Sequence, residues 1–273
     1  MGPGESAARH ERAAAAAEEL LRQHRHKERF AALPSPWEVR DPGFAYAVQG
    51  ILVERLQALR GTSCCGYKIA LTTPAMRRMV GFHDSISGRL LADRVLPSGA
   101  TIHASDFGRL LIEFEIAFQL GADLPPRREP WSREAILPYV ACAFPALEVA
   151  DDRHADYDAL GSSILTLAAD NAWNEGLVLG APVDGLTAGD LLAATGVASI
   201  DGREVGRGTG ADVLGHPLDA LGWLAEHLQE RNLSLKAGDL VTTGSLVISK
   251  FPAPGNEVSF EVSGIGSVSL QVR

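Results

Sequence analysis

The segment LLIEFEIAF limits how this chain can fold more than any other, because it places two carboxylates inside an apolar strand. The acidic residues Glu113 and Glu115 alternate with Ile112, Phe114 and Ile116. Residues two apart in a strand share one face, with backbones about 6–7 Å apart, so the two carboxylates lie side by side. Like charges at that spacing repel unless a divalent cation, a proton or water compensates them. The alternative is the solvated face of an antiparallel strand that packs its other face in the core.

A third carboxylate and a lysine have similar apolar neighbours in sequence. Glu148 lies in the strand-like run FPALEVADDR, and Lys68 lies in the short strand GYKIAL. Three carboxylates without cysteine or histidine nearby favour Mg²⁺ or Mn²⁺ over zinc. Each residue also has a simpler interpretation: an exposed Glu148 paired with Arg153 or another cation, and a Lys68 that protects an edge strand. Beside a metal, Lys68 would instead serve as an acid/base group.

The predicted elements indicate a helical N-terminal arm on a β-rich α+β body, since strands and helices do not alternate regularly. Residues 42–60 form an amphipathic helix, and residues 5–30 form a second helix, which we expect to be an oligomer contact or loosely attached. Short strands separated by proline and glycine turns follow. The domains are therefore predicted as a helical arm over residues 1–60 and a catalytic domain over residues 61–273. A break is expected at Pro145, before a strand.

Composition excludes several classes of function. A net charge of −9 gives no basic face for nucleic acid. No apolar stretch is long enough for a membrane span, and the charged N-terminal residues do not fit a secretory signal. The three cysteines form neither a CxxC motif nor an even disulfide set. We therefore expect a cytoplasmic protein without nucleic-acid or membrane partners.

A series of motifs from about residue 44 to residue 273 resembles one enzyme group. In order these motifs are FAYAVQ, GYKIALTTPAM, GRLLAD, IEFEIAFQLGADLP, PALEVADDR, AADNA, GADVLGHPLDALGWLA, AGDLVTTGSL and GIGSVSL. Together they resemble the 2-oxopent-4-enoate hydratase and 4-oxalocrotonate decarboxylase group of the fumarylacetoacetate hydrolase superfamily. The resemblance implies a mixed, highly curved β-roll with flanking helices, a homo-oligomer, and a role in the catabolism of aromatic compounds.

The resemblance also implies roles for individual residues. In that group an E-x-E pair and a later glutamate bind Mg²⁺ or Mn²⁺, which corresponds here to Glu113, Glu115 and Glu148. The lysine of the group's G-[YWL]-K-[IVM]-G-L-T motif corresponds to Lys68, which is therefore implied to be catalytic and to bind substrate. The motif LxTGS is retained as Thr243, Gly244 and Ser245, which are implied to line the substrate pocket.

Two segments depart from the group's pattern. Hydratases of the group carry an acid/base aspartate in a P-D-F-G segment, and this chain has Ile86 at that position. The decarboxylases of the group also have an apolar residue there. Asp84 is near enough in sequence for a shifted loop to supply that carboxylate. The group's D-N-[AT]-S-S segment reads DNAWN here, so Trp173 and Asn174 follow Asn171 in place of small hydroxyls. All three are implied to contact substrate, and the indole would reshape the pocket.

The resemblance implies a metal-dependent lyase that adds water to a small 2-hydroxy-dienoic or 2-oxo-enoic acid. Three alternatives remain: a decarboxylase of a 2-oxo-enedioate on the same site, an acylpyruvate-type C–C hydrolase, and a non-catalytic partner subunit of a related hydratase or decarboxylase. The hydrolases need a histidine–glutamate pair that activates water, and no clear candidate for that pair is present. The intact acidic residues and lysine disfavour a non-catalytic role.

Overall fold

Residues 3–273 are described by a computed structural model, in which two mixed β-sheets pack together and helices cover their outer faces. The helices are α1 (Pro3–His26), α2 (Pro42–Arg60), α3 (Pro74–Val80), α4 (Arg133–Ile136), α5 (Ile164–Ala169), α6 (Ala188–Ala193) and α7 (Pro217–Gln229). The strands are β1 (Cys64–Ala70), β2 (Ile86–Leu91), β3 (Val95–Pro97), β4 (Ala100–Ile102), β5 (Leu110–Leu120), β6 (Val140–Asp151), β7 (Asn174–Leu179), β8 (Thr195–Ile200), β9 (Arg203–Thr209), β10 (Leu240–Lys250), β11 (Glu257–Val262) and β12 (Gly266–Val272). The predicted α+β class is confirmed.

The seven-stranded sheet has the order β2-β1-β10-β5-β6-β7-β3, and the five-stranded sheet has the order β4-β12-β11-β8-β9. In the larger sheet, β1 runs parallel to β10, whereas β5 runs antiparallel to both β10 and β6. The long strands β5, β6 and β10 therefore form its centre. Residues that lie far apart in the sequence meet there across neighbouring strands.

One face of β5 packs in the main hydrophobic core. Ile112, Phe114 and Ile116 are fully buried, as the alternation in the sequence predicts. Phe114 contacts Phe260 of the smaller sheet with ring centroids 5.5 Å apart, an edge-to-face arrangement. The acidic residues between them must therefore point to the opposite face. That face lies on the side of the N-terminal helices, because Leu111 belongs to the cluster that contains them.

The second helix begins and ends where its sequence predicts. Asp41 caps the N-terminus by accepting a hydrogen bond from Phe44 N at 2.8 Å, and Pro42 takes the first helical position. Gly61 ends the helix in the left-handed conformation with φ of 62°. This geometry sets the direction in which the chain enters β1.

The N-terminal helix is firmly packed, so the expectation that it is loosely attached is wrong. Leu20 is fully buried in a cluster that α1 and α2 share with α5 and with Leu111 of β5. The cause is an apolar stripe on α1, of which Ala13, Ala16 and Ala17 are also buried. The boundary between domains at residue 60 stays a prediction, although this cluster extends across it.

A buried group of charges also fixes α1. His24 Nε2 lies 2.5 Å from Asp170 Oδ1, and its Nδ1 lies 3.3 Å from a Glu175 oxygen. Asp170 also pairs with the fully buried Arg153. Burial is the largest single influence on His24 and lowers its pKa, but the charge and hydrogen bond of Asp170, together with the hydrogen bond of Glu175, outweigh it and raise the pKa to about 9. Arg153 is therefore committed to Asp170, and its predicted pairing with Glu148 is wrong.

The predicted break at Pro145 is also wrong, because β6 runs through it from Val140 to Asp151. Proline lacks an amide N–H, so it is tolerated where no partner strand needs that donor. Pairing of β6 with β7 begins only at Ala146, and Pro145 contributes its carbonyl, which accepts from Gly180 N at 2.9 Å. Among the helices of residues 3–273, none combines the length and the apolar character that crossing a bilayer requires.

Candidate active site

Three glutamates meet on one face of the two central strands. Glu113 of β5 is the direct cross-strand partner of Glu148 of β6, and Glu115 follows on the same face. One oxygen of each carboxylate lies within 4.8 Å of an oxygen of the other two. Glu115 and Glu148 are fully buried. The solvated-face interpretation of this strand is therefore wrong, and the structure brings together the three predicted ligands.

Lys68 lies beside these carboxylates. Its Nζ is 3.0 Å from Glu148 Oε1 and 3.6 Å from Glu113 Oε2, and the side chain is only 2% exposed. The edge-strand interpretation of Lys68 is wrong, because β1 pairs with β2 on one side and with β10 on the other. Burial opposes the charged form of this amine, but the surrounding carboxylates outweigh it and raise the pKa of Lys68.

The carboxylates are not fully compensated by these contacts. Burial, together with the charges of the neighbouring glutamates, raises the pKa of Glu115 well above its usual value. Burial likewise raises the pKa of Glu148 to about 7, against the opposing effect of Lys68. Glu115 Oε1 is a buried oxygen without a hydrogen-bond partner among residues 3–273. A site of three hard oxygen ligands with an unsatisfied atom and excess negative charge fits a divalent cation such as Mg²⁺ or Mn²⁺.

Neutral groups position the same carboxylates. Asn174 Nδ2 donates to Glu148 Oε1 at 3.0 Å, so this predicted residue touches the acidic cluster. Gly244 N donates to Glu115 Oε2 at 2.7 Å. The register between β10 and β5 shifts between Thr242 and Ser245, and this irregularity directs the Gly244 amide toward the carboxylate.

Gly244 is required by its surroundings. Its φ is 108°, and a Cβ atom there would lie 2.2 Å from Thr72 Oγ1. Only glycine fits this close to the Thr72 side chain. The turn can therefore bring the Gly244 amide to the acidic cluster. Ser245 lines the adjacent cavity, whereas Thr243 is buried and donates to Ile116 O at 2.9 Å. Of the predicted turn, two residues face the site and one holds the sheet together.

A cavity of about 580 Å³ opens beside the acidic cluster. Lys68 and Glu113 line it, and most of the remaining wall is apolar. Trp173 contributes its ring to the wall and packs edge-to-face against Phe30, with centroids 5.0 Å apart. Trp173 thus lies in the cavity wall, where an indole can affect the shape of the pocket as predicted. The size is ordinary for a small-molecule site.

The predicted residues Asp84 and Asn171 neither line the cavity nor bind the acidic cluster. Asp84 is exposed, and its Oδ1 accepts hydrogen bonds from Trp223 Nε1 and from Ser85 N, both at 2.8 Å. Asn171 uses its side chain to bind the backbone of Arg89 on β2, as acceptor at 2.6 Å and as donor at 3.0 Å. Neither lines the cavity within the described part of the chain. These contacts give both residues a role in holding loops.

Sequence reasoning missed several residues of the site. Ser249 donates to Glu113 Oε1 at 3.1 Å, and Thr242 donates to Glu148 Oε2 at 3.4 Å. Both lie on β10, and the register of β10 on β5 was the signal needed to find them. Tyr157 and Phe251 line the cavity from segments that follow β6 and β10. Their positions depend on how the loops fold back, which has no local pattern in the sequence.

The fold and the site define an enzyme whose acidic centre lies on a curved sheet beside a small-molecule cavity. The model of the fumarylacetoacetate (FAA) hydrolase C-terminal domain matches residues 90–273. A 2-keto-4-pentenoate hydratase of Burkholderia vietnamiensis is 32% identical over 228 residues, which are 84% of this chain and 85% of the relative. A 4-oxalocrotonate decarboxylase of a Pseudomonas species is 33% identical over 211 residues, 77% of this chain and 79% of the relative.

The chain belongs to the fumarylacetoacetate hydrolase family. Among solved structures, the 4-oxalocrotonate decarboxylase of Pseudomonas putida G7, complexed with magnesium and adipate, is similar with a TM-score of 0.85 and 27% identity. That match covers 96% of this chain and 98% of the decarboxylase. The same decarboxylase has also been solved with calcium and acetate. Within the family, this chain is therefore similar to its hydratases and decarboxylases, as the sequence motifs predict.

Proposed function

We propose that this protein is a divalent-metal-dependent hydro-lyase that adds water to a small 2-hydroxy-dienoic or 2-oxo-enoic acid. The observation that carries the proposal is the convergence of three glutamates and one lysine at an otherwise largely apolar cavity. Relatives that are about 32% identical over most of the chain are hydratases and decarboxylases of such acids.

Glu113, Glu115 and Glu148 would hold the ion, for which we propose Mg²⁺ or Mn²⁺. The unsatisfied Glu115 Oε1 and the excess negative charge support this assignment. When bound, the ion supplies positive charge that polarises the 2-oxo group and stabilises the negative charge that develops on its oxygen. Asn174 and the Gly244 amide orient two of the carboxylates, which fixes the geometry of the ligand set.

Lys68 supplies the other positive charge at the cavity. Its Nζ carries N–H donors that bind the substrate carboxylate and is placed to move the proton between the enol and keto forms. The apolar walls keep water away from this centre, which strengthens its electrostatic interactions with an anion. Burial fixes the lysine in one position, so little ordering is needed when substrate binds.

Decarboxylation of a 2-oxo-enedioate on the same site is the second candidate. It is favoured by the segment at the start of β2, where the Asp84 carboxylate accepts from Trp223 and Ile86 is buried, so that no carboxylate of this segment lines the cavity. Acylpyruvate hydrolysis receives no support, because histidine is absent from the cavity wall within residues 3–273. The non-catalytic role is disfavoured by the intact acidic cluster. Cytoplasmic location and homo-oligomer formation stay predictions.

The test is a two-substrate assay with and without EDTA. Purified protein with added Mg²⁺ is incubated with 2-hydroxypenta-2,4-dienoate and with 2-oxohex-3-enedioate, while ultraviolet absorbance and CO₂ release are followed. We expect loss of the dienoate without CO₂, and no reaction in EDTA. CO₂ release from the enedioate alone identifies the decarboxylase. Turnover that persists in EDTA, or no turnover of either acid, contradicts the proposal.

A further inference from the structure

Few of the side chains that line the cavity carry a charge. Lys68 is the single positively charged side chain in its wall within residues 3–273, and it is already bound by Glu148 and Glu113. The other ionisable acidic group in the wall besides Glu113 is Asp212. A ligand with one carboxylate at the Lys68 end is therefore compensated. Among the residues of 3–273 that line the cavity, none offers a second positive charge to a second carboxylate.

Arg109 lies beside the cavity wall, and it is not free. Its guanidinium lies 4.6 Å from the centroid of the Phe251 ring, which lines the cavity. The same guanidinium is bound by both oxygens of the buried Asp152, with Nε 2.7 Å from Oδ1. A two-point ion pair of this kind holds both the charge and the direction of the guanidinium.

Part of the cavity wall is made of large apolar side chains. Met79, Ile248 and Phe251 line the cavity and are 50%, 83% and 48% exposed, so they lie toward its mouth, whereas Lys68 is buried. Exposed apolar side chains scattered singly need no explanation, but three around one cavity mark a surface suited to an apolar ligand. Trp173 adds its indole where the group's motif has a small residue. The 580 Å³ volume would be filled poorly by a five-carbon acid bound at the Lys68 end.

We propose that this site takes monocarboxylates that carry an extended apolar substituent, aryl or alkyl, at the end remote from the 2-oxo acid group, and discriminates against a second carboxylate there. This inference rests on the proposed function, because it assumes that the 2-oxo acid end binds at Lys68 and the acidic cluster. The physical reason is that the apolar wall gains from burying hydrocarbon, whereas a carboxylate would lose its hydration without a partner.

The test is calorimetric binding, to the 273-residue protein with Mg²⁺, of three saturated 2-oxo acids that have no carbon–carbon double bond to which the enzyme could add water. The acids are 2-oxopentanoate, 2-oxo-5-phenylpentanoate and 2-oxohexanedioate, which share one head and differ at the far end. We expect the phenyl acid to bind more than about tenfold more tightly than 2-oxopentanoate, since burial of a phenyl group is worth at least that ratio. We expect the dicarboxylate to bind most weakly.

A pair of matched variants checks the location. Ile248→Lys places a cation on the cavity wall, and Leu59→Lys makes the same kind of change at a residue that is 61% exposed on α2 and outside the wall. We expect only Ile248→Lys to tighten the dicarboxylate, by about tenfold. Equal binding of the three acids, or tightest binding of the dicarboxylate by unaltered protein, overturns this inference alone. No binding of any acid by Mg²⁺-loaded protein overturns the proposed function as well.

Discussion

Replacing Lys68 by methionine removes the one cation that the structure places among the three glutamates. Its Nζ lies 3.0 Å from Glu148 Oε1, and unit charges at that distance attract by about 5 kcal/mol at an effective dielectric constant near 20. Part of that attraction offsets the cost of burying the lysine, and breaking a buried pair typically costs about 3–5 kcal/mol. We therefore expect Lys68→Met to lower the free energy of unfolding by about 3 kcal/mol in EDTA.

Lys236→Met is the matched control. Lys236 Nζ lies at the same 3.0 Å from Asp123, but both side chains are 59% exposed, so solvent screens the pair and the expected loss is much smaller than in Lys68→Met. The assay is urea unfolding of both variants and the unaltered protein, in EDTA and in excess Mg²⁺. Mg²⁺ should recover more stability in Lys68→Met than in the unaltered protein, because the ion then becomes the main compensating charge. Equal losses for the two variants in EDTA would refute this reasoning.

Three further variants test other parts of the account. His24→Gln should lower the free energy of unfolding by about 3 kcal/mol below pH 6.5, because pairing with Asp170 and Glu175 raises the pKa of His24 from 6.5 to about 9. This loss should vanish as the pH rises through 9. Urea unfolding at pH 6 and pH 10 measures the difference, and a loss independent of pH contradicts it. Gly244→Ala should lower the free energy of unfolding by at least about 2 kcal/mol, because φ is 108° and the added methyl group would collide with Thr72. A loss below about 0.5 kcal/mol by urea unfolding, which is typical of surface substitutions, would contradict this expectation. Leu20→Ala should cost about 2–5 kcal/mol by leaving a cavity under α1, whereas a loosely attached helix would give a change near zero by the same measurement.

The sequence predicted those parts of the fold that have strong local signals. Asp41, Pro42 and Gly61 define the ends of α2, and the alternation around Glu113 shows which face of β5 enters the core. The break predicted at Pro145 is wrong, because the effect of a proline in a strand depends on whether a partner strand needs an amide donor at that point. That information belongs to the sheet and not to the segment.

For the site as well, local patterns identified the residues but not their arrangement in space. The glutamates and Lys68 stand out in sequence because charges inside apolar strands need a reason. Their convergence could not be derived locally, because it depends on the pairing of Glu113 with Glu148 and on β10 lying between β1 and β5. Asp84 shows the limit of position in sequence as a guide. It lies two residues before β2, yet its carboxylate binds Trp223 of α7 and is not in the cavity wall.

The central claim is that Glu113, Glu115 and Glu148 hold one divalent ion together, and titration calorimetry with Mg²⁺ tests it most directly. Three samples are compared: the unaltered protein, Glu148→Gln, and Glu261→Gln, which changes an exposed glutamate of β11. We predict one site in the unaltered protein and in Glu261→Gln, and affinity weakened by more than about tenfold in Glu148→Gln. Unchanged Mg²⁺ affinity in Glu148→Gln would contradict the account.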